Sequence, residues 1–267
     1  MPTAEEIIKK FGAVEDDQRY TRLVDLFTPD AIYYDPFMGA QVGTDAIRTF
    51  MGHMEEMVPA AGARFDEWEV CAGTTTAWAK WTMYAKGPNG EVGINGQSIY
   101  RLRDDGDGLK VCFVADYLDS NAYAQLTRDR VPDMTTPATL SKGTSEQGSG
   151  HALISKFWKM QDTRQYAQLA ELFTDDAVFT DQTSGDFVGK EAITAFMNRM
   201  DVEMTARGVT FSLDDCAGDE TVGWSQWTCH LPGGSFPGWT LHKVRDGKFT
   251  LDSDYFDVAQ AAKLRTK

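Results

Sequence analysis

Leu26-Phe27-Thr28-Pro29-Asp30-Ala31-Ile32-Tyr33-Tyr34-Asp35-Pro36 returns 146 residues later as Leu172-Phe173-Thr174-Asp175-Asp176-Ala177-Val178-Phe179-Thr180-Asp181-Gln182. Outward from this pair, residues 7–54 align on residues 153–200 without a gap, and 20 of the 48 positions are identical. Composition alone would give roughly three. The same spacing holds at Gly62/Gly208, Phe65/Phe211, Trp78/Trp224 and Trp81/Trp227. Beyond hairpins of unequal length, Asp116-Tyr117-Leu118-Asp119 answers Asp254-Tyr255-Phe256-Asp257. Self-similarity on this scale is a duplicated domain. The expected division is a first domain at 1–130, a linker at 131–150 and a second domain at 151–267. Thr, Ser, Gly and Pro make up 12 of the 20 residues of the linker, too little apolar content to pack.

Within the first repeat, Ile7, Ile8, Phe11 and Val14 fall at helical spacing over residues 4–17, and residues 20–27 give a second short helix. A short β run at 31–34 stops at Asp35-Pro36. Thr44 then stands as an N-cap for a third helix with Ile47, Phe50, Met51 and Met54 on one face. Strands are expected at 64–71, 77–86, 92–103 and 109–118, with turns at Asn89-Gly90 and Asp105-Gly106. Helices followed by a curled antiparallel sheet make an α+β domain, here present twice.

This order, with Leu26 to Pro36, Gly39, Gly43 and Ala46-Ile47 in one repeat and Leu172 to Ala177, Asp181, Gly185, Gly189 and Ala192-Ile193 in the other, resembles the NTF2-like, or SnoaL-like, superfamily. The resemblance implies a cystatin-like cone in each repeat, a curved antiparallel sheet wrapped around an apolar pocket and closed by helices. It further implies that the two repeats pack as an intramolecular pseudo-dimer, with further homo-oligomerisation possible. Trp81, Met83 and Trp227 are the expected outward-facing interface residues. By resemblance to ketosteroid isomerase, Asp35 takes the place of the proton-shuttling aspartate. That enzyme's oxyanion tyrosine is replaced by Phe11 and Phe157, and its protonated aspartate by Ser98 and Thr240. The chain therefore departs from a strict steroid isomerase. The last-strand strings also resemble limonene-epoxide hydrolase, but the Arg-x-Asp that such an enzyme needs is missing. A polyether-type epoxide hydrolase would require a Glu beside Asp35 or Asp181; Glu67 is the first-repeat candidate, and Leu213 stands in its place in the second.

Strand alternation yields two candidate sites. In the first, Asp35, Lys80, Tyr84, Tyr100 and Asp116 are expected to do chemistry, with Tyr33, Trp78 and Ser98 contacting substrate. A lysine and a tyrosine would hold a phenolate while a carboxylate moves protons. In the second, Asp254 and His242 match the Asp and His of SnoaL-like cyclases and form a proton shuttle, with Trp224 and His230 lining the pocket. The expected activity is a cofactor-free lyase or dehydratase acting on a small apolar, aromatic compound of phenolic, lignin-derived type. An isomerase or cyclase, an epoxide hydrolase and a ligand-binding module are the alternatives.

Composition narrows the partners. Lys and Arg number 26 against 40 Asp and Glu, a net charge of −14, which repels nucleic acid and anionic membrane surfaces. No apolar run reaches the length of a membrane span, and MPTAEEIIKK lacks the apolar stretch of a secretion signal. Cys71, Cys112, Cys216 and Cys229 have no metal-finger spacing and are expected as reduced core thiols of a cytoplasmic protein. Neither a phosphate-binding glycine motif nor an HxH or HExxH pattern is present, so neither a cofactor nor a metal is expected.

Overall fold

The computed structural model describes residues 2–126, 132–133 and 149–265. The chain divides into two units, Met1–Ser145 and Glu146–Lys267. The expected linker at 131–150 lies almost entirely outside the described residues.

In the first unit, helix α1 (Ala4–Asp17) leads through a 3-10 segment (Tyr20–Leu26) into strand β1 (Phe27–Asp35). A tight turn at Asp35 starts strand β2 (Gly39–Val42), and helix α2 (Thr44–Ala60) follows. Strands β3 (Arg64–Ala72), β4 (Thr76–Gly87), β5 (Gly90–Asp104) and β6 (Leu109–Leu118) run as a meander, and the short helix α3 (Ser120–Ala124) closes the unit. The sheet order is β2-β1-β6-β5-β4-β3, with β1 parallel to β6 and every other pair antiparallel. The four strands expected from alternation are present. The short β run expected at 31–34 extends to Phe27–Asp35 and, with β2, joins them to make six.

The core lies between the concave sheet face and the helices. Ile7, Ile8 and Phe11 on α1 and Ile47, Phe50 and Met51 on α2 are buried against Ala77, Ala79, Tyr100 and Val114. Apolar residues three and four apart on each helix supply the stripe that the sheet covers. Gly43, not Thr44, is the N-cap of α2.

The second unit repeats this plan. Helix α4 (Ser149–Asp162) and the short α5 (Tyr166–Leu169) precede β7 (Phe173–Asp181), β8 (Gly185–Val188) and α6 (Lys190–Arg207). Then come β9 (Thr210–Gly218), β10 (Val222–Leu231), β11 (Gly234–Arg245), β12 (Lys248–Phe256) and α7 (Val258–Arg265). The order β8-β7-β12-β11-β10-β9 matches the first sheet strand for strand. Among the described residues no helix is long and apolar enough to cross a membrane. All four cysteines are free thiols, three of them buried.

Candidate functional site

Sheet register decides which side chains meet inside each cone. In the first unit Ser98 pairs with Ala79 on one side and with Asp116 on the other, and Gly96 pairs with Trp81. Residues paired across an antiparallel ladder share a face. The concave face of β4 therefore carries Ala77, Ala79, Trp81 and Met83, and Trp78, Lys80 and Tyr84 point the other way. This corrects the expectation for those three residues by one position. Lys80 is buried on the opposite face, its Nζ 3.5 Å from Glu69 Oε2 and 5.5 Å from the Trp78 ring. Tyr84 packs under the Arg64 guanidinium, 3.9 Å from its ring centre. The phenolate-holding role of Lys80 and Tyr84 loses its geometric basis. Trp81, Met83 and Trp227, expected outside, line the cavities instead.

The first cavity has a volume of about 330 Å³. Its walls are mostly aromatic and methionine side chains from α1, α2 and the sheet, with Asp35, Glu67, Ser98, Tyr100 and Asp116 among its polar members. Tyr33, Ser98, Tyr100, Asp35 and Asp116 are thus brought together as the sequence suggests.

At its centre is Asp116. Tyr33 Oη donates to Asp116 Oδ2 at 2.5 Å, and Ser98 Oγ donates to Asp116 Oδ1 at 2.5 Å. Ser98 in turn accepts from Trp81 Nε1 at 3.0 Å. Gly96 makes this last contact possible: a Cβ there would lie 2.1 Å from the Trp81 ring, so only glycine lets the indole lie across the strand. Burial pushes the Asp116 carboxyl up to about 7; the Ser98 and Tyr33 hydrogen bonds pull it down, and the charge on Asp35 adds to the rise. Tyr33 is raised well above its ordinary value by burial and by the Asp116 charge, so it remains a proton donor.

Glu67 is the carboxyl that alternation alone could not place. A β-bulge at residue 68 lets Glu67 pair with Trp81 while Glu69 pairs with Lys80, so two glutamates two residues apart face opposite sides. Burial raises Glu67 to about 7, against a smaller downward pull from Lys9. Its carboxylate lies beside Gly12 of α1, where a Cβ would be 2.9 Å from Glu67 Oε1. Asp35 sits at the β1–β2 turn, and its Oδ1 accepts from the backbone N–H groups of Phe37 and Met38, both at 2.8 Å.

The second cavity is smaller, about 120 Å³. The position of Gly12 is taken by Trp158 and that of Glu67 by Leu213. The Trp158 indole fills the space, 5.4 Å from the Trp227 ring, and its Nε1 donates to Ser225 Oγ at 2.9 Å. The donor relay survives: Trp227 Nε1 to Thr240 Oγ1 at 2.9 Å, and Thr240 to Asp254 Oδ1 at 2.6 Å. Tyr33, however, is replaced by Phe179. With one donor fewer and a second acid nearby, Asp254 is held well above its ordinary value by burial first and by Asp252 next.

His242 does not pair with Asp254. Its Nδ1 is 3.1 Å from Asp252 Oδ2 and its Nε2 is 3.0 Å from Ser225 Oγ, with His242 and Asp252 fully buried and neither lining the cavity. Burial lowers His242 to about 3 and raises Asp252, which keeps the imidazole neutral. Ser225, His242 and Asp252 follow a serine–histidine–aspartate spacing. Yet Ser225 Oγ is sealed under Trp158, so the array ties core strands together rather than meeting a substrate. Trp224 and His230 lie on the opposite face of β10: Trp224 is fully buried, and the exposed His230 has its Nε2 2.9 Å from Ser212 Oγ. Among the described residues no three His, Cys, Asp or Glu side chains converge so as to hold a metal ion.

Comparison with known proteins follows the two units. The family model of the SnoaL-like domain matches residues 8–108 and again 154–251. No curated protein matches the chain. Solved structures similar to it include a proposed ketosteroid isomerase from Kribbella flavida, 17% identical, covering 40% of this chain and 77% of that one with a TM-score of 0.36. An NTF2-like protein with a cystatin-like fold from Novosphingobium aromaticivorans is 18% identical over 46% of this chain and 85% of its own, TM-score 0.36. A proposed polyketide cyclase from Xanthomonas campestris is 16% identical over 43% and 96%, TM-score 0.37. With the six-stranded cone formed twice and both halves matched, the chain belongs to the SnoaL-like domain family.

Proposed function

We propose that the chain is a cofactor-independent acid–base enzyme whose active site is the first cavity, and that it removes water from a small, largely apolar substrate. The observation that carries this reading is the presence of two carboxyl groups, Asp116 and Glu67, raised to about 7 in one apolar cavity. Near neutral pH such a pair offers a base and an acid at once. Asp116 takes a proton from carbon, the C–H electron pair becomes the new double bond, the C–O bond breaks, and Glu67 protonates the departing hydroxyl to give water. Tyr33 and Ser98 hold the Asp116 carboxylate in one orientation throughout.

A second reading is a double-bond isomerase, in which Asp116 returns the same proton to a different carbon. It is favoured by the fixed position of Asp116 in the cavity wall, where Tyr33 and Ser98 hold both carboxylate oxygens and one base can remove and return a proton. Incubation with naphthyl β-hydroxy ketones and with β,γ-unsaturated naphthyl ketones tests both readings. Formation of the conjugated enone is followed by absorbance, and the product mass separates loss of water from rearrangement. Turnover that persists in Asp116→Asn would remove Asp116 from the chemistry. Absence of turnover with both compound classes would count against the catalytic reading.

A further inference from the structure

The charged groups lining the first cavity are one-sided. Asp35, Glu67 and Asp116 line it, and among the described residues no lysine or arginine does; His53 is the one described lining side chain that could carry a positive charge. The nearby Lys9 bonds to Glu5 at 2.5 Å on exposed α1 surface and is not a lining residue. An anion entering this space would meet like charge from these groups in a medium of low polarity.

The mouth adds a second feature. Met38 and Met57, both largely exposed, mark where the cavity opens, and Asp35 stands beside them at the β1–β2 turn. On that turn the Phe37 ring packs against Tyr123 of α3 at 4.6 Å between centres, and both line the cavity. A carboxylate next to paired aromatic rings is the arrangement that holds an organic cation, the rings contributing through their negative faces. The Asp35 charge is already felt inside the cavity, since it raises both Asp116 and Tyr33.

We infer that the first cavity selects a hydrophobic amine, with its ammonium group at Asp35, Phe37 and Tyr123 and its apolar body reaching inward toward Asp116. This deepens the acid–base reading, resting on it only for the identity of the cavity as the ligand site. The counterpart positions of the second repeat do not reproduce the arrangement. Thr183 replaces Phe37, and Arg199 takes the place of His53, with its guanidinium 5.2 Å from the Phe196 ring.

Calorimetric titration with naphthylethylamine, naphthylethanol and naphthylacetate, in about 0.15 M salt to screen the net acidic surface, tests the inference. The proteins are the wild type, Asp35→Asn, and a double variant, Gly12→Trp with Glu67→Leu, that grafts the second repeat's filling pair into the first cavity. Asparagine keeps an oxygen for the Phe37 and Met38 N–H groups, so the turn is preserved while the charge is lost. The expected result is that the amine binds the wild type at least tenfold more tightly than the alcohol, and that naphthylacetate binds at least tenfold more weakly than the alcohol. Asp35→Asn is expected to bring the amine to within about twofold of the alcohol without changing alcohol affinity. Naphthylacetate binding as well as the alcohol, or an amine preference intact in Asp35→Asn, would overturn the charge selection and leave the acid–base reading standing. If none of the three compounds binds the wild type better than the double variant, the cavity is not the ligand site and both readings fall.

Discussion

Tyr33 Oη lies 2.5 Å from Asp116 Oδ2, and the residue answering Tyr33 in the second repeat is Phe179. That hydroxyl is one difference between two parallel relays, Trp81–Ser98–Asp116 and Trp227–Thr240–Asp254; the acid Asp252 beside the second is another. Tyr33→Phe should make the first repeat's acid behave more like Asp254, with its pKa moving upward from about 7. If Asp116 is the base, the acidic limb of the kcat/KM profile moves to higher pH in the variant. At pH 7 the rate should fall by about tenfold, with recovery at higher pH, as expected of a base starved of its ionised form. A pH-rate profile of both proteins checks this, and an unmoved limb would assign the titration to another group.

Asp116 also makes a stability prediction of definite sign. Its folded value of about 7 lies above its ordinary 3.8, so the native state holds a proton that the unfolded chain has released between those limits. Stability from this group is complete below about pH 4 and is lost as the pH rises through 7. Asp116→Asn cannot titrate and should gain on the wild type across that window. The expected gain at pH 8 is about 1–2 kcal/mol, short of the ~4 kcal/mol of the full shift. The shortfall arises because the asparagine amide presents N–H groups where Tyr33 or Ser98 already donates. Urea unfolding at pH 4 and pH 8 measures the difference.

The His242–Asp252 pair gives a stability that is level over an acidic interval and falls on both sides of it. Between the ordinary values of 3.8 and 6.5 the unfolded chain holds a proton on the histidine, and the native pair holds the same number with the imidazole neutral and Asp252 protonated. Stability from the pair is therefore level in that interval. Above it the unfolded chain has fewer protons than the native pair, and below it more, so stability declines on both sides. Replacing one partner alone, as in Asp252→Val, should cost about 1–3 kcal/mol by leaving the other buried, neutral and polar. Replacing both with apolar residues, His242→Leu with Asp252→Val, should recover much of this loss and flatten the pH profile. Chemical denaturation from pH 3 to 9 distinguishes the three proteins.

Gly96→Ala is expected to destabilise by about 1–3 kcal/mol, because its Cβ would overlap the Trp81 ring and must displace it. Displacing the indole also removes the donor to Ser98, so near-ultraviolet circular dichroism of the tryptophan should change along with the unfolding midpoint. Gly238→Ala, over which Trp227 lies in the same way, serves as the matched test.

Much of this molecule is readable in the sequence, and the places where reading fails have physical causes. The duplication, the order of elements and the inward phase of β5 and β6 follow from identity at fixed spacing and from turn residues. Strand β4 defeats the same method, since Thr76 to Lys80 are all buried and both faces carry large side chains. With no polar face there is no alternation to set the phase, and a slip of one residue exchanged Lys80 and Tyr84 for Trp81 and Met83. Glu67 is legible as the candidate Glu beside Asp35, but its direction depends on the bulge at residue 68, which leaves no pattern in the sequence. His242 was placed correctly on the inner face; its partner was misassigned because Asp252 and Asp254 share that face and only register separates them. Asp116, Ser98 and Tyr33 were legible because short, regular pairing connects them.

The exchange of Gly12 for Trp158 at one position of the first helix has a practical meaning for anyone reshaping this scaffold. The space left inside each cone depends on a helical side chain together with its neighbour on the third strand, Gly12 with Glu67 in one and Trp158 with Leu213 in the other. With leucine in place of Glu67, alanine, valine, leucine and tryptophan at position 12 would form a graded series of chambers. The two halves of the chain already hold the ends of that series, an internal calibration that a single-domain relative would not provide.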